Sequence, residues 1–111
     1  MKTIFIVDDT DTNLVTAKEA LEEDYRVFTM PSAAKMFAFL EKMTPDLILL
    51  DIEMPEMNGF TALDKLREKE KTAKIPVAFL TAHGGMAGAT DFIVKPISKE
   101  DLQHRVVELL K

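Results

Sequence analysis

The chain has no cysteine. Disulfides, thiolate metal sites and cysteine nucleophiles are therefore excluded, and the absence fits a cytoplasmic protein. Long apolar runs are also missing. Nowhere do about 18 apolar residues follow one another, so no membrane span is expected. There is no basic excess either. Fourteen Lys and Arg stand against 19 Asp and Glu, a formal net charge of −5. A general nucleic-acid surface needs a basic footprint, so no nucleic-acid partner is expected. Met1-Lys2 leads straight into a short apolar run and then Asp8, so no signal peptide is expected. Internal repeats, linkers and low-complexity tracts are not found.

What remains is an ordinary globular composition, 47% apolar and 30% charged over 111 residues. That length suits one domain, residues 1–111, with a substantial core. Its most informative feature is how the short apolar runs end. Ile4-Phe5-Ile6-Val7 runs into Asp8 and Asp9. Leu47-Ile48-Leu49-Leu50 runs into Asp51, Val77-Ala78-Phe79-Leu80 into Thr81, and Phe92-Ile93-Val94 into Lys95. If the runs are parallel strands, three carboxylates, a hydroxyl and an ammonium gather on one rim. Ligand sites of open α/β sheets lie at that rim.

The pattern between the runs supports this. Residues 3–7 read as a buried strand. Residues 12–23 read as a helix with Leu14, Val15, Ala17 and Leu21 at helical spacing and Asp11 or Thr12 as N-cap. Residues 25–29 read as a strand. Pro31-Ser32 opens a second helix that runs to about Met43. Residues 46–50 form a continuous apolar run, as in a strand buried on both faces. Pro55 and Asn58-Gly59 mark a loop, and a third helix covers about 59–70. Strands at 77–80 and 92–94 and a last helix from Ser98 complete the alternation. Such alternation predicts a doubly wound α/β domain with a parallel sheet.

Asp8, Asp9 and Asp51 supply the oxygen ligands that Mg²⁺ prefers. Clustered carboxylates repel one another unless a cation or proton offsets the charge. With metal present, one carboxylate can serve as nucleophile towards a phosphoryl donor. Lys95 can hold a phosphate oxygen as a point charge, and Thr81 can donate a hydrogen bond to another. Taken alone, each residue has a plain structural explanation: a turn or cap for the aspartates, a strand-end capper for Thr81, a surface turn for Lys95-Pro96. Their joint order is what points to chemistry.

In that order the chain resembles the receiver domains of bacterial two-component response regulators. Val7-Asp8-Asp9 resembles the family's acidic metal-binding pair. The stretch from Leu49-Leu50-Asp51 to Met57-Asn58-Gly59 resembles its phosphoacceptor segment, Leu80-Thr81-Ala82 its switch hydroxyl, and Phe92 with Lys95-Pro96 its final strand and lysine. The resemblance implies a flavodoxin-like five-stranded sheet of order 2-1-3-4-5. It implies phosphorylation of Asp51 by a histidine kinase or phosphotransfer protein. Mg²⁺ would be held by Asp8, Asp9, Asp51 and the Glu53 backbone carbonyl. Thr81 and Lys95 would contact the phosphoryl group, Phe92 would be the rotating aromatic, and the bond before Pro96 would be cis. From the residues alone, Glu53 and His83 each lie two positions beyond Asp51 and Thr81. Both are expected to border the site and to tune how water reaches a phosphoaspartate.

One departure stands out. Between Thr81 and Lys95 the chain is roughly eight residues shorter than the usual family pattern, so the family's fourth helix is expected to be shortened or absent. His83-Gly84-Gly85-Met86-Ala87 is a poor helix, since each glycine costs about 1 kcal/mol in a helix interior. A parallel crossover normally takes about a dozen residues or more. Short, strained connections favour exchange of segments between copies. A homodimer is therefore expected, swapped after Gly85. The leading functional expectation is a phosphoacceptor receiver with no attached output domain in this chain, and not an enzyme beyond self-phosphorylation and self-dephosphorylation. The alternatives are a non-phosphorylated dimerisation or interaction module that kept the acidic rim, and a haloacid-dehalogenase-type Mg²⁺ phosphatase. The phosphatase would need an Asp where Glu53 stands.

Overall fold

The computed structural model describes residues 1–81, 92–94 and 98–111. Among them, nine elements follow in chain order. They are β1 (Thr3–Val7), α1 (Asp11–Leu21), β2 (Arg26–Met30), α2 (Ala33–Leu40), β3 (Leu47–Asp51), α3 (Gly59–Glu68), β4 (Val77–Thr81), β5 (Phe92–Val94) and α4 (Lys99–Leu109), strands and helices alternating as far as β4. Every strand pair is parallel, and the sheet order is β2-β1-β3-β4-β5. This is the expected doubly wound sheet. Residues 82–91 and 95–97 lie outside the described residues. His83, Gly85, Lys95 and Pro96 fall there, and with them the shortened fourth helix, the cis bond and the exchange point.

Strand alternation sorts the core into two layers. Phe5, Val7, Ile48, Leu50 and Phe79 face α2 and α3, where Met36, Leu40, Ala62 and Leu66 meet them. Ile4, Ile6, Leu47, Leu49 and Leu80 face α1 and α4, where Leu14, Leu21, Leu102 and Val106 close the other side. β1, β3 and β4 are buried along their whole length. That explains why they read as unbroken apolar runs rather than alternating ones.

Several boundaries differ from the sequence reading, each for a local reason. The N-cap of α1 is Thr10, not Asp11 or Thr12. Thr10 is extended (φ −103°, ψ 115°), and its carbonyl accepts from the amides of Asn13 and Leu14. α2 stops at Leu40 rather than Met43. Thr44 precedes Pro45, and a residue before proline disfavours helical geometry. The freed Leu40 carbonyl accepts a hydrogen bond from Lys71 Nζ at 2.8 Å. β3 and β4 extend through Asp51 and Thr81, because the Ile52 amide still donates to the Leu80 carbonyl.

Helix starts are set by polar caps. The side chains of Ser32, Asn58 and Ser98 accept from the amides of Lys35, Thr61 and Asp101. Asn58-Gly59 is therefore a helix entry, and the left-handed residue of the preceding loop is Glu56 (φ 71°). After α3, Arg67 Nη1 donates to the carbonyls of Ala73 and Ile75, both at 2.9 Å, and pins the loop that feeds β4.

Candidate metal centre

The site follows from the sheet register. Val7 pairs with Leu50 and Asp51 with Leu80, so Asp8 and Asp51 end neighbouring strands at the same height. One oxygen from each of Asp8, Asp9 and Asp51 lies within 4.8 Å of the others. Asp8 is fully buried and Asp51 is 4% exposed, whereas Asp9 is exposed. Two buried carboxylates this close, both ionised, repel by at least about 3.5 kcal/mol at an effective dielectric constant of about 20. A divalent cation removes that penalty, and an all-oxygen donor set suits a hard ion such as Mg²⁺. The residues present therefore fit the metal.

Asp8 is held at both carboxylate oxygens. Its Oδ1 accepts from the Thr10 amide at 2.9 Å and its Oδ2 from Asn13 Nδ2 at 3.2 Å. The Asp8 amide donates to the Met30 carbonyl at the end of β2. The start of α1 is thus tied to the rim through a carboxylate.

The main chain around Asp51 is held as well. The Gly59 amide donates to the Ile52 carbonyl at 2.8 Å. A Cβ at position 59 would sit 2.6 Å from the Asp51 carbonyl oxygen and 2.9 Å from Ile52 Cα. No residue but glycine lets the first turn of α3 lie this close to the Asp51 main chain. Ile52 and Met54 bury their side chains in the core layer beneath, and the loop leaves Glu53 exposed.

Thr81 ends β4, next to β3, and is 3% exposed. Phe92 begins β5 opposite Phe79. It is half-buried, with its ring stacked on that of Phe79 at 5.7 Å and 29°. Phe79 in turn meets the ring of Phe60, on α3, at 5.0 Å. The structure thus brings Asp8, Asp9 and Asp51 together, with Thr81 and Phe92 on the next strands. Lys95 and His83 lie outside the described residues. Sequence reasoning missed Asn13 and the packing role of Gly59. Asn13 falls five positions after Asp8, and nothing in its own neighbourhood marks it.

The family model for the response regulator receiver domain matches residues 4–107. Response regulator PleD of Caulobacter vibrioides is 37% identical over 117 aligned positions, covering 97% of this chain but only 26% of that protein. Those positions hold about 108 residues of this chain, so about nine positions of PleD have no counterpart here. Protein PilH of Pseudomonas aeruginosa is 32% identical, with 92% of each chain covered. Among solved structures, chemotaxis protein CheY4 of Vibrio cholerae superposes with a TM-score of 0.93 at 26% identity, over 99% of both chains.

Proposed function

Because the chain belongs to the response regulator receiver domain family, we propose that Asp51 is its phosphoacceptor, working with Mg²⁺ held at Asp8, Asp9, Asp51 and the Glu53 carbonyl. The observation that carries this is the convergence of the three carboxylates within 4.8 Å at the ends of two paired strands. The donor is a phosphohistidine on a histidine kinase or phosphotransfer protein. An Asp51 carboxylate oxygen attacks phosphorus and a P–O bond forms. The P–N bond breaks, and its electron pair leaves with the imidazole, which takes a proton. A cation held by these residues would offset negative charge on the phosphoryl oxygens.

The chain's own groups do the rest. The Thr81 hydroxyl donates to one phosphoryl oxygen, and Lys95 offsets charge on another. Phe92, stacked on Phe79, is the aromatic that responds when Thr81 is engaged. Glu53 and His83 border the site and govern water access. The short connection over residues 82–91 supports a dimer in which β5 and α4 are exchanged between copies, with the exchange beginning after Gly85. A monomeric mass at micromolar concentration would remove that part of the reading.

The test is incubation with Mg²⁺ and acetyl phosphate, followed by mass spectrometry. One added phosphoryl group, absent in Asp51→Ala and with chelator, is the expected result. No adduct in the parent chain would leave an interaction module with a silent rim. Steady turnover of assorted phosphomonoesters would point to a phosphatase instead.

A further inference from the structure

We propose that Asn13 is the positioning residue of the metal pair: by donating to Asp8 Oδ2 it fixes the rotation of that carboxylate, so that Asp9 and Asp51 meet it already in place. The inference rests on the metal reading above and adds a residue to it. Asp8 Oδ1 is held by a backbone amide two residues on, at 2.9 Å, and Oδ2 by the Asn13 side chain at 3.2 Å. Two donors on opposite oxygens stop the carboxylate plane from turning about its own axis. A carboxylate accepts and an amide nitrogen donates, so the chemistry fixes which end of Asn13 faces Asp8.

The residue is also well anchored. Asn13 sits half-buried in the first turn of α1, with its own amide bonded to the Thr10 carbonyl. Leu14 beside it is buried against the sheet. The helix start that presents Asn13 is thus seated on the same strands that carry the aspartates. Groups that orient a metal ligand typically govern metal affinity by about 10–100-fold when removed. Because the Thr10 amide still holds Asp8 Oδ1, the low end of that range is expected.

The experiment is Mn²⁺ titration of the parent chain, Asn13→Ala and Asn13→Gln, reading the free ion by electron paramagnetic resonance, with Mg²⁺ calorimetry alongside. Asn13→Ala is expected to weaken binding about tenfold. Asn13→Gln, which keeps an amide donor on a longer chain, is expected to recover part of the loss. In the acetyl phosphate reaction, the half-saturating Mg²⁺ concentration is expected to rise by the same factor, with the rate at saturating Mg²⁺ within about twofold of the parent. Urea unfolding in chelator keeps the proposal apart from a folding effect, since alanine favours the helix at this position. Binding by Asn13→Ala within twofold of a parent that binds metal would overturn the positioning role and leave the metal site standing. A parent chain that binds neither ion would overturn both.

Discussion

An alanine at position 59 would put its Cβ 2.6 Å from the Asp51 carbonyl oxygen and 2.9 Å from Ile52 Cα. Unstrained carbon contacts begin near 3.5 Å, so the overlap is more than half an ångström against two backbone atoms. Neither can swing away as a side chain would. Asp51 is paired in the central strand, and Ile52 is 7% exposed. Relief requires the first turn of α3 to lift, which stretches the bond from the Gly59 amide to the Ile52 carbonyl. Overpacking of this kind costs about 1–3 kcal/mol, and a weakened backbone hydrogen bond adds about 0.5–1.5 kcal/mol. Against this, alanine gains at most about 1 kcal/mol over glycine in a helix. The net expectation is a loss of about 1–3 kcal/mol, at about 4–8 °C of melting temperature per kcal/mol for a domain of this size. Urea and thermal unfolding of Gly59→Ala measure it directly. The displaced Asp51 main chain should also lower phosphoryl uptake from acetyl phosphate more than the stability loss alone explains. A variant as stable as the parent, or more stable, would refute the close-approach reasoning.

Asp51→Asn removes a charge from the crowded rim, so in chelator it is expected to unfold at higher urea than the parent while losing the phosphoryl adduct. The parent chain should gain stability with Mg²⁺, by about 2.7 kcal/mol at a hundredfold excess over the dissociation constant, and Asp51→Asn much less. Differential scanning calorimetry with and without the ion reads both. Arg67→Met leaves the carbonyls of Ala73 and Ile75 without their guanidinium donor. It is expected to cost about 1.5–3 kcal/mol, seen as a lower urea midpoint and faster amide exchange in residues 72–75. Ser98→Ala removes the cap that accepts from the Asp101 amide and should cost about 1 kcal/mol, whereas Ser98→Asp should hold stability.

What was legible is what repeats along a run of residues. The strands were readable because β1, β3 and β4 are buried on both faces and carry unbroken apolar runs. The aspartates were readable because each stands at the end of such a run. The start of α1 was not. Asp9, Thr10, Asp11 and Thr12 are all cap-type residues, and propensity cannot choose among them. The choice falls to Thr10, whose amide is held by Asp8. The end of α2 was placed too late because the restriction that Pro45 puts on Thr44 was not weighed, and the Leu40 carbonyl freed there is taken by Lys71. Asn58-Gly59 marked the end of the loop, and the helix expected from about 59 does begin at Gly59. The structure uses Asn58 as a cap and Gly59 for clearance, and leaves the left-handed position to Glu56. A run buried on both faces leaves a pattern in the sequence, and a single side-chain hydrogen bond, near or far, does not.

The register that places Asp8 beside Asp51 has a consequence for how the molecule assembles. The two carboxylates are separated by the whole of α1, β2 and α2, and they become neighbours only when β3 docks alongside β1. A partly folded chain with β1, α1 and β2 in place still lacks one of the ligands. Metal uptake should therefore be silent through early refolding and switch on when β3 docks on β1. A stopped-flow trace of ion capture would time that event, with the acidic rim acting as a built-in clock for the pairing of β3 with β1.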